Sequence, residues 1–186
     1  MMFSPAQYLE WYARLDRWAP LGYRDCGRGC GQICCTDYEE DVGMYLFPGE
    51  AALYSTPEDW YRIEKSTCEA ERLYPYDETP IHVFICDGNC PRHRRPLACR
   101  LFPLTPILRP DGLFSLNYPL GAYPICPLTR AQPGRLHRGF RRAVRGVYRE
   151  ILTNSMLFAR YLEETRERQR EKENEWFTMM RKQSPL

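Results

Sequence analysis

Nine cysteines are the residues of this 186-residue chain whose type and spacing best suit chemistry, and eight of them fall into groups. Four lie in the stretch CGRGCGQICC at 26–35, three lie within 86–99, and one follows at position 126. The eight are Cys26, Cys30, Cys34, Cys35, Cys86, Cys90, Cys99 and Cys126. Thiols at this density form disulfides, bind soft metal ions or act as reactive nucleophiles.

The expected cellular compartment helps to choose between disulfides and metal. The first stretch, MMFSPAQYLEWYARLDRW, lacks the basic start, apolar centre and small-residue cleavage site of a signal peptide. No run approaches the roughly 18–20 apolar residues that a membrane span needs. We therefore expect a cytoplasmic protein with no membrane segment, in which thiols stay reduced. The odd number of cysteines also argues against complete pairing, so the sequence favours metal binding.

Thiolates are soft ligands that select zinc or iron–sulfur clusters over hard cations. A structural zinc or a [4Fe–4S] cluster takes about four such ligands, so we expect the two cysteine groups to fold onto one another. Because Cys34 and Cys35 are adjacent, their side chains diverge, and we expect one to ligate while the other packs, donates a weak hydrogen bond or supports a second ion. The gaps of three residues differ from the two-residue gaps of zinc ribbons. The sequence therefore leaves open which of the first four cysteines ligate, and whether the metal is iron or zinc.

Four arginines accompany the second cysteine group. They are Arg92, Arg94, Arg95 and Arg100. Four thiolates around a divalent metal, or around a cluster of the same charge, leave about two net negative charges. Guanidinium groups at close range offset that charge and lower the pKa of the thiols. We therefore expect these arginines to lie beside the metal.

The combination of CGRGCGQICC, CDGNC, RRPLACRLFPL and CPLTRAQ resembles the YkgJ-like cysteine-cluster family, described as zinc- or iron-chelating domains. The most specific element of that family is matched here by Arg95, Pro96, Cys99, Arg100, Phe102 and Pro103. The resemblance covers about 26–130 and implies that the grouped cysteines chelate metal. Two departures are the three-residue gaps of the first group, where the family has two, and Cys68, which has no counterpart. The family includes flagellin lysine methylases with an iron–sulfur cluster, which favours iron without transferring that activity.

Other candidate residues have simpler interpretations. We expect Cys68 to pack in the core, and we expect His82 and His93 to lie at a strand edge and in a loop rather than on the metal. The arginine stripe from 135 to 149 could bind an anionic partner or nucleic acid, but we favour a solvated helix face. The net charge of +2 gives no case for nucleic-acid or membrane binding.

Local patterns predict helices towards both ends of the chain. Ser4 and Pro5 form a helix start, and apolar spacing extends the helix over about 5–18. Apolar residues at helical spacing also predict a long helix over 134–153 and a second helical segment over about 154–180.

The centre of the chain is predicted to be more irregular. TPED at 56–59 resembles the start of another helix. IHVFI at 81–85 has the branched and aromatic content of a strand, and LFSLNY at 113–118 could pair with it. Nine prolines keep 90–134 from forming long regular elements.

Together these features predict a single α+β domain over 1–186, with helices flanking an irregular cysteine-rich centre and a small antiparallel sheet. The metal-binding centre spans 26–130 and the C-terminal helical segment spans 134–180. The leading hypothesis is a cytoplasmic protein that holds an iron–sulfur cluster or zinc through clustered cysteines. The expected ligands are Cys30, one or both of Cys34 and Cys35, Cys90, Cys99 and Cys126, and we expect Cys26 and Cys86 to complete or support the site. One alternative is a methylase-like modification enzyme or a redox enzyme, which an open pocket beside the metal would favour. The other is an interaction module in which the metal is structural and the arginine-rich helix binds a protein partner.

Overall fold

Helix α1 (Pro5–Asp16) is the first regular element of the computed structural model, which describes residues 3–22, 25–36, 43–56, 58–66, 81–88 and 90–183. The Ser4 hydroxyl accepts a hydrogen bond from the Gln7 N–H at 3.3 Å. Pro5 occupies the first turn, where no helical hydrogen bond requires its missing N–H. The predicted helix start is therefore confirmed. The inner face of α1 buries Tyr8, Trp11, Tyr12 and Leu15.

A three-stranded antiparallel sheet follows, built from β1 (Met44–Tyr45), β2 (Tyr61–Ser66) and β3 (Ile81–Cys86) in the order β1-β3-β2. The strand predicted at 81–85 is confirmed as β3. The helix predicted to start at 56–59 is wrong, because the chain there leads directly into β2. The reason is tertiary: the Tyr61 ring stacks on the Phe84 ring of β3 at 4.8 Å, and this pairing outweighs the local helix-start signal.

Strands β4 (Thr105–Leu108) and β5 (Phe114–Asn117) form a separate antiparallel hairpin. The strand predicted at 113–118 thus exists, but it pairs with β4 rather than with β3. Gly112 has φ +77 and closes the tight turn between the two strands, so the nearest partner along the chain captures β5.

The remaining helices differ greatly in length. Three are short and carry cysteines: α2 (Gly27–Cys30), α3 (Ile33–Thr36) and α4 (Leu97–Leu101). The two long ones are α5 (Arg138–Ile151) and α6 (Ser155–Gln183), in the places predicted by the helical spacing. Between 90 and 134 the chain forms only short elements, as its prolines predict.

The main core lies where α1, α4, α5 and α6 meet, and its fully buried residues include Trp11, Leu97, Phe140, Ile151 and Leu157. A smaller cluster under the sheet contains Leu46, Tyr54, Phe84 and Cys90. The fold is α+β, with helices flanking an irregular cysteine-bearing centre and a small antiparallel sheet, as predicted. No helix within the described ranges is both long and apolar enough to cross a membrane.

Candidate metal centre

Six of the eight grouped cysteines line one cavity between the short helices, the sheet and α5. The six are Cys26, Cys34, Cys35, Cys86, Cys90 and Cys99. The cavity has a volume of about 80 Å³, whereas a single water needs roughly 10–15 Å³ on the same scale. Its apolar wall is formed by Trp18, Phe84, Phe102 and Phe140. The space therefore admits a group larger than one water molecule, and most of its potential metal ligands are thiols.

The first cysteine group reaches the cavity through a tight reversal of the chain. Helix α2 ends at Cys30, and the next two residues, Gly31 and Gln32, have positive φ angles of +66 and 59. Two successive left-handed residues turn the backbone sharply, so α3 folds back towards α2. This reversal brings Cys34 and Cys35 of α3 to the same cavity as Cys26, the residue that precedes α2.

The second group approaches the first through another glycine. Cys86 ends β3, and Gly88 follows in the turn with φ +86. A Cβ atom at Gly88 would lie 2.9 Å from the carbonyl oxygen of Cys35, which is closer than real Cβ contacts come. The two cysteine-bearing segments therefore touch through the backbone, and a glycine is required where they meet.

Neighbouring thiols form two pairs at the cavity wall. The Sγ atoms of Cys34 and Cys35 lie 3.9 Å apart. A hydrogen bond with Cys34 lowers the pKa of Cys35 to about 7, and a hydrogen bond with Cys90 lowers the pKa of Cys86 to about 6. In each pair, one thiol therefore ionises at a lower pH, and the other thiol donates the hydrogen bond that stabilises the resulting thiolate.

The other cysteines are harder to ionise. Burial raises the pKa of Cys26 to about 11, and Asp25 beside it adds to the effect. Burial likewise raises the pKa of Cys99 above its ordinary value. Repulsion from the thiolates of Cys35 and Cys86 raises it further. Burial also raises the pKa of Cys126. Without a cation in the cavity, these thiols stay protonated at neutral pH.

Cys30 and Cys126 do not line the cavity. Both interact electrostatically with Cys26 and so lie near it, and the Cys30 thiol is 3.7 Å from the Cys26 carbonyl oxygen. Among the residues that the structure describes, no three His, Cys, Asp or Glu side chains are arranged to hold an ion as they stand. The thiols surround the cavity as pairs and single groups rather than as a closed ligand shell.

Arg95 supplies positive charge at the cavity. Its guanidinium donates to Asp25 Oδ2 at 3.2 Å. Although burial acts to lower it, the pKa of Arg95 is raised by Asp25 and by the thiolate of Cys35. The Nε atom of Arg95 is buried and has no hydrogen-bond partner. A buried N–H without an acceptor is costly, and a metal-bound thiolate or sulfide beside it would accept that hydrogen bond. Arg14, Arg94 and Arg168 also have an unpaired Nε atom, so it is the thiols together with the Arg95 charge at the cavity that fit a thiolate-bound metal group.

The other predicted arginines divide between the cavity and the surface. Arg92 and Arg100 line the cavity, and Arg100 forms an ion pair with Asp16. Arg94 does not line it; its guanidinium pairs with Glu58 instead.

The histidines are not among the residues that line the cavity. His82 lies on β3 opposite Lys65, and burial lowers its pKa. His93 lies in a short turn, where its carbonyl oxygen accepts a hydrogen bond from Arg100. Cys68 lies outside the described residues.

Two residues near the cavity have positions that the sequence does not reveal. Asp25 anchors Arg95, and the one signal for it is an acidic residue directly before the first cysteine. Glu50 is fully buried near Cys99, and nothing in the local sequence sets it apart from surface glutamates.

Comparison of the chain with protein-family models, with curated proteins and with solved structures gives no match.

Proposed function

We propose that this protein binds a metal group, an iron–sulfur cluster or zinc, in the cysteine-lined cavity. The observation that carries the proposal is the convergence of thiols from three separate chain segments on one cavity that also holds a buried guanidinium with an unpaired N–H. Soft thiolates are the preferred ligands of both metal types. The cavity volume favours a cluster, since it exceeds what one ion requires.

The ligand set is best assigned from the mutual effects of the thiols. Cys99 interacts with Cys35 and Cys86, and Cys90 interacts with Cys86 and Cys99. These four thiols, from α3, the end of β3, the following loop and α4, form the inner set that we propose holds the metal. The outer set is Cys26, Cys30, Cys34 and Cys126. The outer set either supports the inner set or forms a second metal centre. The number of metal centres per chain distinguishes these two alternatives.

Anaerobic purification with metal analysis and a visible spectrum tests this proposal. Iron with acid-labile sulfide and absorption near ~400 nm supports a cluster, whereas colourless protein with zinc supports a structural ion. Protein that retains neither metal and takes up neither on anaerobic reconstitution contradicts metal binding.

Single substitutions sharpen this test. Cys99→Ser is expected to abolish retention of the inner metal, and Cys126→Ser is expected to leave it in place. Cys68→Ser is the matched control because Cys68 lies outside both cysteine groups in the sequence. Equal loss of metal in all three variants would contradict the assignment of the inner set.

A second candidate function, a metal-dependent enzyme, is favoured by a neighbouring pocket. This pocket has a volume of about 270 Å³ and shares Met44 and Phe102 with the wall of the cysteine cavity. Its lining is largely aromatic and apolar, but Arg160 and Glu164 form an ion pair there, with 3.0 Å between Nε and Oε1. An apolar pocket with a few polar groups is the usual form of a small-molecule site.

The enzyme hypothesis is tested by ligand binding to the metal-loaded protein. Saturation-transfer NMR with small aromatic fragments, repeated on Glu164→Gln and on the exposed control Glu163→Gln, reports occupancy of this pocket. Fragments that lose binding in Glu164→Gln alone support a substrate site. A pocket that binds none of them leaves metal binding as the function.

A further inference from the structure

A surface groove beside helix α5 is lined by four arginines of that helix. The groove has a volume of about 290 Å³, and its walls are Leu116, Pro133, Gly134, Arg138, Arg141, Arg142 and Arg145. The arginines occupy positions i, i+3, i+4 and i+7, so they share one face of the helix. This spacing turns four guanidinium groups towards the same space.

Those charges are not neutralised by the protein. Within the described part of the chain, none of the four arginines forms an ion pair with a carboxylate. Like charges three and four residues apart destabilise a helix. The sequence favours a solvated helix face for these arginines. The positive charges of such a face are usually neutralised by acidic residues three or four positions away, as Glu164 neutralises Arg160 on α6. The arginine face of α5 has no such balance.

Two of the guanidinium groups are held in place by backbone oxygens. Arg141 Nε donates to the Leu136 carbonyl at 3.1 Å, and Arg145 donates to the Phe114 carbonyl at 3.0 Å. The Arg145 guanidinium also lies 5.4 Å from the centre of the Phe114 ring. Neutral acceptors fix these side chains without reducing their charge, and each keeps further N–H donors for a ligand. A site fixed in this way loses less conformational freedom on binding.

We propose that this groove binds a compact polyanion of the diphosphate class. Guanidinium groups match phosphate oxygens in pairs of hydrogen bonds, and four positive charges balance the charge of two linked phosphates. The groove is at the small end of ligand-site volumes. It also offers no free aromatic face on which a base could stack, because Arg145 covers Phe114. These features favour a small phosphorylated molecule over nucleic acid.

Isothermal titration of the purified full-length protein with pyrophosphate tests this proposal, using Arg142→Gln and the control Arg149→Gln. Both positions are exposed on α5, but Arg149 does not line the groove. We expect wild type and Arg149→Gln to bind alike and Arg142→Gln to bind about tenfold more weakly, since a charge-assisted pair is lost. Pyrophosphate also captures free metal ions, but the variants have the same cysteines, so the difference between them reports the groove.

Four outcomes would overturn the proposal. One is the absence of pyrophosphate binding by wild type. Another is equal weakening in the two variants, which indicates a general charge effect. A third is citrate binding as tightly as pyrophosphate, which removes the phosphate assignment. The fourth is tighter binding of a single-stranded oligonucleotide that depends on Arg142, which makes the face a nucleic-acid surface. None of these depends on whether the cysteines hold metal.

Discussion

The backbone N–H of Leu97, two residues before Cys99 in the sequence, donates a hydrogen bond of 2.5 Å to Glu50 Oε1. The same fully buried carboxylate accepts hydrogen bonds from the Tyr12 hydroxyl and from the Phe47 N–H at 2.9 Å. One side chain therefore joins α1, the loop after β1 and the first turn of α4. Cys99 faces the cavity because Glu50 fixes the start of its helix.

Glu50→Ala is expected to lower the free energy of unfolding by about 3 kcal/mol or more, because three donors, two of them in buried hydrogen bonds, lose this acceptor. Chemical denaturation of the protein as purified measures this loss. Glu58→Ala is the control, since Glu58 is partly exposed and its ion pair with Arg94 contributes about 1 kcal/mol or less. Equal losses in the two variants would show that Glu50 does not have this role.

Thiol reactivity in the metal-free protein should follow the pKa values. Cys86, with a pKa of about 6, and Cys35, with a pKa of about 7, are largely or substantially thiolate at pH 7.5. The raised pKa of Cys99 keeps it protonated. Iodoacetamide should therefore modify Cys86 and Cys35 well before Cys99. Peptide mass spectrometry over a time course gives the order, and early modification of Cys99 would contradict it.

Metal affinity should rise with pH. Burial raises the pKa of Cys99, and the hydrogen bond with Cys86 raises that of Cys90, so protons on these two thiols of the inner set compete with a metal at neutral pH. For each ligating thiol that must lose a proton, the apparent affinity for metal rises about tenfold per pH unit, as long as the pH is below the pKa of that thiol. Zinc competition with a chelator of known affinity, at pH 6.5 and pH 8.5, measures the slope. An affinity that does not change over this interval would mean that the ligating thiols are already ionised.

Arg95→Gln should weaken metal retention by about tenfold to a hundredfold, as loss of an outer partner of the ligands does. The substitution removes a positive charge that acts on Cys35 and Cys90. Arg94→Gln is the adjacent control, because Arg94 pairs with Glu58 and does not line the cavity. Metal content per chain after dialysis against a chelator compares the two. If both variants retain metal equally, Arg95 has no special role.

Gly88→Ala should cost more stability than Gly112→Ala. Both glycines have positive φ, +86 and +77, so both substitutions impose a backbone cost of about 1 kcal/mol. Only at Gly88 would the new Cβ also meet the Cys35 carbonyl, at 2.9 Å, whereas nothing lies within 4 Å at Gly112. The difference in unfolding free energy isolates this contact. We also expect metal loss in Gly88→Ala alone, since the two cysteine groups must move apart.

Local sequence signals predicted the parts of the fold that depend on local interactions. The Ser4 cap and Pro5 place α1, and branched residues at 81–85 place β3. The errors arose where distant partners decide the structure: Tyr61 stacks on Phe84 and makes a strand of a predicted helix, and the turn at Gly112 gives β5 a nearer partner.

In the candidate site, too, local features were predictable from the sequence and long-range contacts were not. The cysteine grouping and Arg95 are visible in the sequence, because spacing and residue type are local properties. The structure adds that Cys30 and Cys126 lie outside the cavity and that Asp25 and Glu50 fix its surroundings. Those relationships span long distances in the chain, so no local pattern contains them.

The wide spacing of the thiols also has a consequence for synthesis. Ribosomes add about 5–20 residues per second, so Cys26 leaves the peptidyl transferase centre about 5–20 s before Cys126, which lies about 100 residues later. For most of that interval the nascent chain carries the first four thiols without Cys99, whose helix α4 packs against α1. The inner set of cysteines is therefore complete only once Cys99 has been synthesised, so under the proposed function a metal group is inserted no earlier than that stage.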